Sequence, residues 1–140
     1  LKSGSIEMKN NQIAAGKFVI DMASITCTDL TDPGYNTKLV NHLKSDDFFS
    51  VASHPEATIE IVKSSPFVNN ESTVEAKLTI KKITHPITFK VKKDGNAYVA
   101  DLVVDRSKYD VRYGSGSFFD NLGDNLIYDE FDMSVRIETL

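Results

Sequence analysis

Val74-Glu75-Ala76-Lys77-Leu78-Thr79-Ile80-Lys81 carries an apolar side chain at every even position and a polar one at every odd position. Successive side chains of a strand point to opposite faces, so this stretch reads as a strand with one dry and one wet face. Ile87, Phe89 and Val91 alternate in the same way with Thr88, Lys90 and Lys92. So do Phe131, Met133, Val135 and Ile137 with Asp132, Ser134, Arg136 and Glu138. Weaker forms of the pattern hold Ile59 and Ile61, then Phe18, Ile20 and Met22, and the stretches 97–104 and 5–9. The result is about seven strands, each apolar on one face, which is the signature of an antiparallel sheet and an all-β fold.

Turn chemistry separates the strands. Asn10-Asn11 and Asp94-Gly95-Asn96 read as tight hairpins, because Asn, Asp and Gly tolerate positive φ, and Asn69-Asn70-Glu71 reads likewise. His54-Pro55 and His85-Pro86 are each expected to open a strand, since proline drives the residue before it into an extended conformation. Two long connections interrupt the alternation. Between Asp29 and His54, Leu39, Val40 and Leu43 share one helical face, with Asn36 or Thr37 as the cap. Ser45-Asp46-Asp47-Phe48-Phe49 is expected to add a second short helical turn, capped by Ser45 or Asp46. From Asp105 to Tyr128 the chain gathers Tyr109, Tyr113, Phe118, Phe119 and three glycines. So long a connection in a compact domain points to a lid or rim.

The 140 residues fit one domain, 1–140, with room for one sizeable core or one enclosed cavity. With 41% hydrophobic and 26% charged residues the composition is globular. No apolar run approaches the roughly 20 residues of a transmembrane helix, so the chain is not expected to span a membrane. A net charge of −4 with dispersed lysines argues against a nucleic-acid partner. Cys27 is alone, which excludes an internal disulfide. The chain shows no signal peptide and opens on Leu1 inside a strand-like stretch, as expected of a processed or trimmed product.

Little of the sequence suggests chemistry. His42, His54 and His85 form no His-x-His or His-x-x-x-His pair, and no second cysteine joins them, so neither a metal nor a cofactor is expected. Gly114-Ser115-Gly116-Ser117 lacks the flanking strand of a nucleophile elbow and the Gly-Lys-Ser/Thr of a phosphate loop. Asp46-Asp47, ahead of aromatics, reads as a helix cap. An enzyme is therefore not expected; the one acid that interrupts an apolar strand face, Asp101, is the candidate acid or base if there is a reaction. Of 16 basic residues only Arg106, Arg112 and Arg136 are arginines, and the first two lie in the aromatic connection beside Tyr109 and Tyr113. A guanidinium can clamp a carboxylate or phosphate with two parallel hydrogen bonds. The plainer reading pairs Arg106 and Arg112 with Asp105 and Asp110 to staple the loop.

The order of these pieces resembles the YceI-like family. The resemblance runs through Phe18-Val19-Ile20-Asp21-Met22-Ala23-Ser24-Ile25, His42-Leu43-Lys44-Ser45-Asp46-Asp47-Phe48-Phe49, and His54-Pro55 leading into Ala57-Thr58-Ile59. It continues through Leu78-Thr79-Ile80-Lys81, His85-Pro86-Ile87, and the stretch from Val104-Asp105-Arg106 to Tyr113-Gly114. It implies a lipocalin-like, up-and-down antiparallel β-barrel with a short helix in a long connection, an isoprenoid or other lipid bound inside, and export to the periplasm or beyond. No catalytic residue belongs to the pattern. Family members usually carry a further strand and the start of a second before the region around Gly4; either those residues are trimmed here or the barrel closes some other way, and an open barrel would expose an edge for pairing with another chain, as in a homodimer.

About eight strands enclose room for one slender ligand. The expected lipid-binding lining is Phe18, Ile20, Ile59, Ile61, Leu78, Ile80, Ile87, Phe89, Phe131, Met133 and Val135, with Arg106, Arg112 and Tyr113 for a charged head group. The competing expectation is that these residues fill a solid core, making a structural or interaction module, dimeric through its open edge.

Overall fold

In the computed structural model, which describes residues 1–139, the strands form one seven-stranded antiparallel sheet in sequence order. They are β1 (Ser3–Lys9), β2 (Gln12–Asp21), β3 (Glu56–Ser64), β4 (Glu71–Ile80), β5 (Ile83–Asp94), β6 (Ala97–Asp105) and β7 (Glu130–Glu138). The sheet curls into a half-barrel whose concave face collects the apolar half of each alternation. Val74, Ala76, Leu78 and Ile80 of β4 are buried, while Thr73, Glu75 and Lys77 face water. β1 and β7 are not paired with each other, so a lateral seam separates them.

Three tight connections use left-handed residue pairs: Asn10-Asn11, Asn69-Asn70 and Lys81-Lys82 all have positive φ. Two such residues give the primed turn whose twist matches the flanking strands. The lysine pair opens β5 at Ile83, so His85-Pro86 does not start the strand but lies inside it, opposite Leu78 and Lys77. Proline is tolerated there because β5 pairs with β6 only from Val91 to Asp94, which leaves the other edge of β5 free around Pro86.

Two bulges reset the alternation. Glu7 of β1 lies opposite Ala15 but Met8 opposite Ile13, so β2 buries Ile13 at one end and Phe18 at the other. A similar shift between Ile61 and Lys63 turns Val62 outward.

The helix α1 (Pro33–Lys44) is capped by Asp32, not by Asn36 or Thr37. The Asp32 carboxylate accepts from the backbone N–H groups of Gly34 and Tyr35 at 2.9 and 3.0 Å, and Pro33 presets the first turn. Asn36 instead donates to the carbonyls of Cys27 and Leu30. Residues 46–49 form turns and not a second helix; the Asp46 carboxylate accepts from the Ser50 hydroxyl.

Leu78, 1% exposed at the centre of the core, tests this architecture. Leu78→Ala is expected to cost about 2–5 kcal/mol, read as a lower urea midpoint with an unchanged slope.

Candidate functional site

A cavity of about 340 Å³ runs from the hairpin end of the half-barrel to its middle. Its walls are apolar and come from six strands: Ile6 of β1, Phe18 of β2, Ile59 and Ile61 of β3, Phe89 and Val91 of β5, Ala100 and Leu102 of β6, and Met133 and Val135 of β7. Of the eleven residues expected to line it, Phe18, Ile20, Ile59, Ile61, Phe89, Met133 and Val135 do so. Leu78, Ile80, Ile87 and Phe131 are not brought to it. Leu78 and Ile80 are fully packed, and Phe131 stacks edge-on with Phe49 at the opposite end. Among apolar strand residues, sequence reasoning missed Ile6, Ile13, Val91, Tyr98, Ala100, Leu102 and Ile137. Ile137 merely continues the β7 alternation, whereas Ile13 is hidden by the bulge before it.

The cavity touches the seam. It is lined by Ser134 and Arg136 as well as Met133, Val135 and Ile137, although the first two face outward on β7 and the others inward. Leu1, beside β1, completes the far side.

The opposite end is plugged. Met22, Phe48, Val51, Tyr109 and Val111 are all buried there. Where β5 and β6 diverge, the turn at Arg106–Tyr109 fills the gap, with His85 Nε2 hydrogen-bonded to the Lys108 carbonyl at 2.9 Å and His85 edge-on to Tyr109.

The three head-group candidates lie at this plugged end, none of them in the cavity wall. Arg106 is 2% exposed. It donates Nε to the Tyr128 carbonyl, Nη1 to Val111 and Nη2 to Ile127 at 3.0, 2.8 and 2.9 Å, with its guanidinium over the Phe48 ring. Its donors are spent on backbone, so it is a structural staple for the long connection. Asp105 accepts from Ser107 and does not pair with it. Arg112 pairs with Asp110 and lies over Phe118, as the loop-staple reading expects of it. Tyr113 packs on His42 beside α1.

Electrostatics follow the same plug. Burial lowers the Arg106 pKa, against the opposing pull of Asp129 and Asp105. Burial, then Asp105, raises the Tyr109 phenol. The Asp129 carboxyl is held below its ordinary value by the hydroxyls of Ser115 and Ser117 and, more weakly, by Arg106. Asp101, the one candidate acid, faces outward and accepts from Ser134 at 2.8 Å. Among the described residues, no helix is long and apolar enough to cross a membrane.

A family model described as the YceI-like domain matches residues 1–139. No curated protein sequence matches the chain. Among solved structures, a mutant CJ YceI protein aligns with a TM-score of 0.75 at 18% identity, over 98% of this chain and 79% of that one. The YceI protein of Campylobacter jejuni aligns at 0.72 and 18%, over 98% and 79%. BcnA of Burkholderia cenocepacia aligns at 0.70 and 26%, over 96% and 80%. All share the curled antiparallel sheet.

Arg106→Met is expected to destabilise the fold by more than about 3 kcal/mol, because it strands the buried Val111 carbonyl and two part-buried ones; Arg112→Ala should cost under about 1 kcal/mol. Thermal melts of the two variants check the contrast. Because folding depresses the Asp129 pKa, its stabilisation is complete above an unfolded value of about 4 and disappears as pH falls through the folded one. Urea titrations across that acidic window should show a loss of stability that Asp129→Asn lacks.

Proposed function

The chain belongs to the YceI-like family, and from that premise we propose that it binds the apolar chain of a lipid, such as an isoprenoid, in the half-barrel cavity. The carrying observation is a hollow of about 340 Å³, walled by aliphatic and aromatic side chains and open at the seam. It lies at the lower end of the volumes typical of small-molecule sites. At about 30 Å³ per non-hydrogen atom, roughly a dozen such atoms fit, so a longer chain leaves its remainder in the seam. Burying about ten methylenes contributes on the order of 8 kcal/mol before the costs of association, enough for binding without a specific polar contact. The contact residues of this reading are Phe18, Ile20, Ile59, Ile61, Phe89, Met133 and Val135.

The protein acts as a carrier or store, with no reaction of its own and in the periplasm, the compartment the resemblance implies. The unpaired edges of β1 and β7 favour a second reading, in which two copies pair strand to strand. Sedimentation equilibrium separates the two, since only the second makes the mass depend on concentration.

Native mass spectrometry of freshly purified protein, followed by organic extraction, is expected to return one bound chain per polypeptide. Ala100→Phe, which places a ring in the cavity, should reduce uptake of an added polyprenol at least tenfold while circular dichroism keeps the β spectrum. A polypeptide that stays bare after incubation with polyprenols would sink the reading.

A further inference from the structure

One polar pair stands on the concave face at the hairpin end. Val91 lines the cavity, and Lys93, two residues further along β5, leaves the strand on the same face and is half-buried. Directly opposite on β6 is Tyr98, which lines the cavity and pairs across to another lining residue, Ile137. Both lie next to the turn where Gly95 and Asn96 join the two strands. The buried Phe67 ring ties them together. Its centre lies 6.0 Å from that of Tyr98 and 4.5 Å below the Lys93 Nζ. Packing on the ring shields one side of the ammonium and leaves its remaining donors open. Lys93 pairs with no carboxylate among the described residues, whereas Lys90, on the outer face of the same strand, pairs with Glu71. The Tyr98 hydroxyl has no hydrogen-bond partner among the described residues either, and it is not sealed from solvent. The other polar residues that border the cavity turn away from it: Ser134 reaches Asp101 and Arg136 reaches Asp94, both on the outer face.

We infer that Lys93 and Tyr98 form the head-group site of the cavity, and that the apolar chain it takes ends in a single carboxylate. The tail lies among Phe18, Phe89 and Leu102, and the carboxylate at the hairpin end accepts from the Lys93 ammonium and the Tyr98 hydroxyl. One cation and one hydroxyl match one negative charge. A phosphate monoester carries most of a second charge, which would stay unpaired beside an apolar wall. This inference rests on the cavity being a lipid site, as proposed above.

The test uses three compounds of one chain length, dodecanoate, dodecanol and dodecyl phosphate, each displacing a neutral fluorescent naphthylamine from the intact protein at pH 7.5. Dodecanoate is expected to bind at least about fivefold more tightly than dodecanol, the gain of one partly exposed ion pair, and dodecyl phosphate no more tightly than dodecanoate. Added salt should narrow the preference over dodecanol, because screening weakens attraction between exposed charges. K93M, which keeps a stem on Phe67 and drops the charge, should abolish that preference. Y98F should weaken dodecanoate about threefold, the loss of one hydrogen bond. Equal or tighter binding of dodecanol to the native protein would overturn the inference, as would tighter binding of dodecyl phosphate or a preference that neither salt nor K93M moves. Salt dependence is read on the native chain, so the test survives a variant that fails to fold. If no compound displaces the probe, the lipid-site reading fails and takes this inference with it, an outcome distinct from a wrong head group.

Discussion

Seven strands joined only by antiparallel pairing leave the first and the last pointing in the same direction. β1 and β7 therefore cannot complete an antiparallel barrel by pairing with each other, and the curl of the sheet brings them to a seam instead of a closed ladder. Much else depends on this constraint. The inward residues of β7 stay half-exposed because no neighbour covers that flank, whereas those of β4, central in the sheet, are buried to the last methyl. An open edge invites further pairing, and the alternating Glu130, Asp132, Arg136 and Glu138 place charge along it, a common protection against adventitious strand addition.

A second gap, between β5 and β6, has a different solution. Where the two strands part, the long connection folds back as a plug, and a buried arginine holds it there. A buried charge is expensive unless its donors are satisfied. Arg106 meets that condition with three carbonyls, an aromatic face and the nearby carboxylates of Asp129 and Asp105. Pro86 belongs to the same arrangement, since its missing N–H costs nothing on an edge that β6 has left.

Period-two alternation made the seven strands and their inward faces legible, since one buried face pins the register of each strand. Its failures are local and physical. The bulge opposite Glu7 and Met8 flips β2, so the parity read at Phe18 and Ile20 gives no hint that Ile13 also faces in. Lys81-Lys82 forms a left-handed pair without the Asn or Gly that announces one, which moved the start of β5 away from its proline. Asp32-Pro33 carries a plain helix-start signal, obscured by the better spacing of Leu39, Val40 and Leu43. For the arginines the difficulty is deeper. Their side-chain chemistry is the same in a staple and in an anion site, and only the positions of the carbonyls decide. Composition and spacing contain nothing of that kind.

The division between hollow and filled halves follows from the connections more than from the strands. In an up-and-down sheet the links β2–β3, β4–β5 and β6–β7 all fall at one end. The first and third are the long ones, and they insert Phe48, Val51, Arg106, Tyr109 and Val111 into the barrel. The other end has the two-residue turns after β1 and β5 and the short link from β3 to β4, from which Phe67 alone is buried, against Tyr98 and under Lys93. Strand side chains by themselves, with Ala100 and Gly16 among the inward positions, do not fill a curl of this radius. The cavity is thus what remains where no loop reaches. Its position at the hairpin end, away from the aromatic connection, is a consequence of strand order and loop length, and changing a lining residue alters its shape without moving it.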